Sequence, residues 1–181
     1  ILNMLRDYLG DEAFFAGVAD YLKTNAYGTG EAHQLRLSLE KISGKDLNWF
    51  FNQWYFGSGN AVIDVVKKYN AATKKLTVKI VQTQDEKILF QFPLEIDVYE
   101  NGKRVRHKVW VDARKENSFT FSVATTPELV DINPRGVIIA TENNNKSWKE
   151  YLYQLQHATD YKSRIEAVDA TTATEGKEIL L

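Results

Sequence analysis

The side chains able to carry acid–base or metal chemistry are few and dispersed. The three histidines, His33, His107 and His157, fall on three separate stretches without paired carboxylates. His33 stands near the start of an apolar-periodic segment, has no partner at metal-ligand spacing, and reads as a solvated residue. His107 lies within Lys103-Arg104-Val105-Arg106-His107-Lys108, followed by Trp110, which has the composition of a nucleic-acid patch with a stacking platform. Acidic residues are scattered, and Asp85-Glu86-Lys87 reads as a solvated turn. The motifs H-E-x-x-H and G-x-S-x-G and both glycine-rich phosphate loops are absent. These residues assign no catalytic, cofactor-binding or metal-binding role to any position of the chain.

The elements that hold these side chains explain why the basic run is not a nucleic-acid site. Asn101-Gly102 is a two-residue turn of the type that closes β-hairpins and fixes their register. That register places Val98 opposite Val105, Ile96 opposite His107, Leu94 opposite Val109 and Phe92 opposite Val111, one continuous apolar face. His107 on that face reads as a hydrogen-bonded structural histidine. On the other face Asp97 meets Arg106 and Glu95 meets Lys108, pairs each worth a few tenths to ~1 kcal/mol. Two of the basic charges are therefore answered within the hairpin, and the whole chain carries a formal net charge of −1. Pro93 cannot donate to a ladder, so its side of the strand is expected at an edge or a bulge.

The sequence divides by period. Before residue 60 the spacing is helical, with stripes of Leu2, Leu5 and Leu9, then Phe14, Val18, Tyr21 and Leu22, then Ala32, Leu35, Leu39 and Ile42. Gly10 is expected to stop the first helix, Asp11 and Thr29 to cap the second and third, Tyr27-Gly28 to close the second, and Gly44 to end the third. Residues 43–59, SGKDLNWFFNQWYFGSG, form an aromatic helix capped by Asp46 and apolar on most of its circumference, so it belongs inside a core. From residue 61 the period is two. Segments 62–69, 75–83, 90–100, 103–112, 118–123, 128–132 and 137–141 predict about seven strands, the pattern of an antiparallel β-sandwich. Residues 142–146, ENNNK, read as a polar linker. Ser147 and Glu150 form a capping box that opens another helix, with Trp148, Leu152 and Leu155 inward. A second short helix carries Ile165 and Val168, and a further one is expected from Glu175, which suggests the first unit of an α-solenoid.

Composition excludes several classes. Of 181 residues, 44% are hydrophobic and 12% aromatic, enough for real cores, and no apolar run approaches the ~20 residues of a membrane helix. With no cysteine, disulfides and thiolate metal sites are excluded. The chain starts at Ile1 inside a helical pattern and reads as a piece of something longer.

Leu2-Asn3-Met4-Leu5-Arg6, Leu9-Gly10-Asp11-Glu12-Ala13-Phe14-Phe15, Tyr27-Gly28 and the run from Ser43 through Gly44-Lys45-Asp46-Leu47-Asn48-Trp49-Phe50-Phe51-Asn52-Gln53 to Trp54 together resemble the aminopeptidase N family of zinc metallopeptidases, the gluzincins. The resemblance implies a multidomain α + β layout: residues 1–60 as the helical C-terminal portion of a thermolysin-like catalytic domain, 61–142 as a β-sandwich, and 143–181 as the start of a helical-repeat domain. It implies a parent peptide hydrolase that removes N-terminal residues, with a zinc held by two His and a Glu, a second Glu as base and a Tyr at the oxyanion. Those residues lie ahead of the equivalent of Ile1, so none maps onto this chain. The fragment is expected to bind no zinc and to be inactive alone. The family's Pro-Gly-x-Pro after the second Trp is replaced here by Phe56-Gly57-Ser58-Gly59-Asn60-Ala61, which leaves the subgroup open.

Two other readings stand beside it. One is a non-catalytic binding or scaffold module, from an inactive homologue or an unrelated sandwich; the other is nucleic-acid or carbohydrate recognition by the Trp110 face. Exposed apolar surface on the first helix and at Leu180-Leu181 is expected to favour self-association.

Overall fold

The structure is a computed structural model that describes residues 1–84 and 88–172. The expected turn at Asp85-Glu86-Lys87, the helix from Glu175 and the Leu180-Leu181 end lie outside the described residues. The chain forms two compact units, Ile1–Gly59 and Asn60–Leu181.

The first unit is helical: α1 (Leu2–Leu9), α2 (Asp11–Thr24), α3 (Ala32–Ser43) and α4 (Asn48–Phe50), which widens into a π-helical turn at Phe51–Tyr55. Met4, Leu5, Phe14, Leu39, Leu47, Phe50, Phe51 and Trp54 are its buried apolar side chains. Helices α2 and α3 pack closely because Gly17 has no side chain; a Cβ there would stand 2.6 Å from Leu39 Cδ2 and 3.1 Å from Leu39 Cα. Gly44 ends α3 in the left-handed conformation at φ 68°, as its position predicts.

Several helix ends differ from the sequence reading. Gly10, at φ 85°, precedes α2, and Asp11 sits within the first turn, where Arg6 Nε and Nη2 donate to its two carboxylate oxygens at 2.8 and 2.7 Å. An arginine from the preceding helix thus satisfies the carboxylate expected to cap. Helix α2 ends at Thr24, three residues before Tyr27, where Asn25 Nδ2 donates to the Tyr21 carbonyl at 2.8 Å. Glu31, not Thr29, precedes α3, and its backbone N–H donates to Gln34 Oε1 at 2.8 Å. Leu47, not Asp46, is the N-cap of α4; Asp46 stands one residue earlier, where its carboxylate accepts from Asn48 N at 2.8 Å. The aromatic segment is not enclosed on every side. Phe56 N–H reaches back five residues to the Phe51 carbonyl at 2.9 Å, and the widened turn keeps Phe51 and Trp54 inside while Tyr55 and Phe56 are exposed. Leu22 and Ile42, expected inward, are also exposed.

The second unit combines two sheets and two helices. Strands β1 (Ala61–Asn70), β2 (Lys75–Gln82), β5 (Glu116–Ser122) and β7 (Ala140–Asn144) form a sheet of order β5-β2-β1-β7. Strands β3 (Phe92–Glu100), β4 (Lys103–Val111) and β6 (Leu129–Ile132) form a second, of order β4-β3-β6. The hairpin register is the one the turn dictates, with Val98 against Val105, Ile96 against His107, Leu94 against Val109 and Phe92 against Val111. Asn101 and Gly102 both have positive φ, 51° and 71°. Pro93 lies beyond the end of the β3–β6 pairing, which runs only from Ile96 to Tyr99, so its missing N–H breaks no ladder there.

Two expectations are corrected. The strands are not all antiparallel: β7 runs parallel to β1, with Ala61 opposite Ala140 and Val65 opposite Asn144. It follows a strand of the other sheet, so no hairpin constrains its direction. Its last residues also occupy the stretch expected as a linker. Beyond it, Ser147 and Glu150 make the capping box of α5 (Trp148–His157), and α6 (Tyr161–Thr172) packs on α5. No described helix is long and apolar enough to cross a membrane.

Candidate functional site

The histidines remain apart. His33 lies against Phe56 at 4.9 Å between ring centroids, His107 stacks on Phe121 at 4.1 Å, and His157 stacks on Tyr153 at 4.0 Å while its Nδ1 meets the Tyr153 carbonyl at 2.9 Å. Burial, only partly offset by the charge of Asp97, lowers the His107 pKa, so the neutral ring is favoured. Among the described residues no group of three His, Cys, Asp or Glu side chains is placed to hold a metal ion.

Ionic chemistry gathers instead on the polar face of the β3–β6 pair, beneath α5 and α6. Because side chains alternate along a strand, Glu95, Asp97 and Tyr99 share one face of β3, and Leu129 and Asp131 continue it on β6. Asp97 is directly opposite Asp131, and both are fully buried. Two adjacent carboxylates of like charge are tolerable only if each has its own cation. Arg106 answers Asp97 with a two-pronged contact, Nε to Oδ1 and Nη2 to Oδ2, each at 2.8 Å. The same Arg106 Nη2 reaches Asp160, at the entry to α6, at 2.6 Å, and Arg104 reaches it at 3.1 Å.

Lys146 answers Asp131. Its ammonium donates to Asp131 Oδ1 at 2.8 Å, to Gln154 Oε1 on α5 at 2.8 Å and to Glu166 Oε2 on α6 at 2.9 Å, so all three protons are used. Burial opposes the charge, but Asp131 and Glu166 outweigh it and the Lys146 pKa is raised. Burial likewise opposes ionisation of Glu166, and Lys146 prevails to lower its pKa. At the rim Lys162 Nζ contacts Glu142 at 2.6 Å and the Ile132 carbonyl at 3.2 Å; there burial wins, and the Glu142 pKa is raised.

Ser163, Asp131 and Lys146 include the residue types of a nucleophilic set. Their arrangement is not one: the Ser163 hydroxyl donates to Asp131 Oδ2 and approaches the Pro134 carbonyl, and Ser163 is 1% exposed, so no substrate reaches it. The network clamps α5 and α6 to β6. Sequence reasoning misses it, because a polar linker is where ENNNK puts Lys146, yet its side chain is completely buried. The Asp97–Arg106 and Glu95–Lys108 pairs form as the hairpin register requires, but around a buried carboxylate rather than on an open surface. The available signal is Asp131, a carboxylate within the otherwise apolar run Leu129-Val130-Asp131-Ile132.

The basic hairpin is correspondingly occupied. Arg104, Arg106 and Lys108 all contact carboxylates, and Arg135 pairs with Glu95 at 2.7 Å. Trp110, opposite Pro93 on the neighbouring strand, is 37% exposed, beside basic side chains that are already paired.

Similarity to known proteins is concentrated in the helical unit and extends more weakly beyond it. Residues 1–54 match the Peptidase family M1 domain. The chain is 40% identical over 70 residues to tricorn protease-interacting factor F2 of Thermoplasma volcanium, covering 39% of this chain and 9% of that protein. It is 25% identical over 146 residues to leucyl aminopeptidase of Saccharolobus solfataricus, covering 80% of this chain and 18% of that protein. Its fold is shared with a crystal structure of Legionella pneumophila aminopeptidase A in complex with aspartic acid, with a TM-score of 0.81, 23% identity, and coverage of 93% of this chain and 20% of that one. The chain thus spans a fifth or less of the length of each of these proteins. The resemblance read from the sequence holds: the chain is similar to M1-family aminopeptidases, and its first 54 residues match that family's peptidase domain.

Proposed function

We propose that this chain is part of a zinc-dependent aminopeptidase that removes N-terminal residues from peptides, and that this stretch of it is structural. The carrying observation is the match of residues 1–54 to the Peptidase family M1 domain. In this reading residues 1–60 are the helical C-terminal portion of the catalytic domain, 61–142 a β-sandwich, and 143–181 the beginning of a helical-repeat domain. The zinc and its His, His and Glu ligands belong to the parent's catalytic domain, and this stretch alone binds no zinc and turns over no substrate. The resident side chains support that reading, since the ionic groups that cluster are consumed by one another and Ser163 is closed to solvent.

The test is an assay of the isolated 181-residue chain on aminoacyl chromogenic substrates, with and without added zinc, beside the protein encoded by the complete gene. The expected result is metal-dependent turnover by the complete protein and none by the chain alone. Turnover by the isolated chain overturns the structural assignment. A complete protein with no H-E-x-x-H and no turnover would favour the non-catalytic scaffold instead.

A further inference from the structure

The outer strands of the two sheets are β5 and β7 in one and β4 and β6 in the other. Charged side chains and short length are the usual protection of such edges against a further strand. β4 carries Arg104, Arg106 and Lys108, β6 is four residues long and β7 is five. β5 has neither protection. It runs for seven residues, contains no proline and bears no charge from Asn117 to Ser122.

The ladder to β2 fixes which of its backbone groups are free. Gln82 N–H donates to the Lys115 carbonyl at 2.8 Å, and Val123 N–H donates to the Lys74 carbonyl at 3.0 Å. In an antiparallel pair the bonded residues alternate, so the odd-numbered residues turn their backbone groups to β2. Glu116, Ser118, Thr120 and Ser122 turn theirs away from it, and all four are exposed. Their side chains lie on the outer face, because Asn117 is buried and Phe121 stacks inward on His107 of β4.

We propose that β5 is a self-association edge, which pairs antiparallel with β5 of a second copy about a two-fold axis at Phe119. This is the register that overlaps the whole strand. Ser118 then exchanges backbone hydrogen bonds with the partner's Thr120, and Glu116 with the partner's Ser122, so every outward N–H and C=O of the strand is used. The sequence is complementary to itself in this register. Ser and Thr hydroxyls meet on the outer face, Phe119 meets the partner's Phe119 on the inner face, and Glu116 meets a serine and not its own copy. The contact is isologous, so it closes at two copies. One strand pair is a small interface, and the dimer is therefore weak and concentration-dependent. No residue of 1–60 takes part, so the assignment rests neither on the peptidase reading nor on exposed helical surface.

The test is sedimentation velocity and amide hydrogen exchange on the 181-residue chain from micromolar to millimolar concentration. A two-copy species is expected to grow with concentration, and exchange at the Ser118, Thr120 and Ser122 amides to slow in step with it. S118E/T120E sets carboxylates opposite each other twice by symmetry and is expected to weaken the association about tenfold. S118E/T120K sets opposite charges there and is expected to restore it. Both positions are exposed, and S118E lies opposite Lys79 on β2, so the monomer is expected to keep its circular dichroism. A chain that is monomeric at every concentration, equal association of the two variants, or protection that arises elsewhere than on β5 would each overturn the proposal. So would a monomer whose β5 amides are protected only by an added peptide of alternating threonine and valine, which would assign the edge to a foreign strand. If the variants do not fold, the exchange pattern of the unaltered chain decides alone.

Discussion

Lys146 Nζ and Asp131 Oδ1 are 2.8 Å apart with both side chains completely buried. A buried ion pair contributes little net stability over an apolar replacement, but losing one partner strands the other charge in a low-dielectric interior. K146M is therefore expected to cost about 3–5 kcal/mol in urea denaturation. The double variant K146M/D131L is expected to lose less than the sum of the two single variants, by about 1–3 kcal/mol of coupling. Additive losses would show that the two side chains act separately.

The pH dependence of stability follows from the same cluster. The Glu166 pKa is lowered in the fold, so its contribution is present above the unfolded carboxylate pKa and is lost as pH falls through the folded value. The Lys146 pKa is raised, so its contribution is present below the unfolded lysine pKa and is lost as pH rises through the folded value. Stability should fall in acid and again in strong alkali. Glu142 acts oppositely: its raised pKa means that protonation on the acid side favours the fold and offsets part of the loss. E142Q should steepen the acid limb of a plot of urea midpoint against pH.

Gly17 is where α2 meets Leu39. Valine at this position places branched carbons into a space where the first added atom already lies 2.6 Å from Leu39 Cδ2 and 3.1 Å from its backbone. G17V is expected to destabilise the helical unit by about 1–3 kcal/mol, read from the thermal or urea transition. A neutral result would mean that the helices separate freely.

The hairpin turn offers a milder test. Gly102 has φ 71°, and nothing lies within 4 Å of where a Cβ would stand, so G102A meets no steric neighbour and incurs only backbone strain. A loss of about 1 kcal/mol is expected, with the β3–β4 register unchanged in amide exchange. A register shift would show that the turn does more than bend the chain.

Local rules make much of this legible. Asn101-Gly102 sets the β3–β4 register, and Ser147 with Glu150 sets the α5 start, because turns and capping boxes depend on residues a few positions apart. Cap preference alone puts helix starts at Asp11 and Thr29, and both differ in the structure. Arg6 occupies the Asp11 carboxylate from the preceding helix, and Gln34 ties itself to the Glu31 backbone. Which groups are already satisfied decides the first turn, and a preference for residue type does not weigh that.

What sequence alone determined was the change from helical to alternating period near residue 60, the pairing within the hairpin, and the resemblance of the first sixty residues to the aminopeptidase N family. What only tertiary structure decided was the parallel placement of β7 beside β1 and the use of Lys146 as a buried counter-ion rather than a linker residue. Both depend on elements far apart in the chain meeting in space. A period of two marks a strand without naming its neighbour, and a lysine looks solvated until a carboxylate from another strand and two helices close around it.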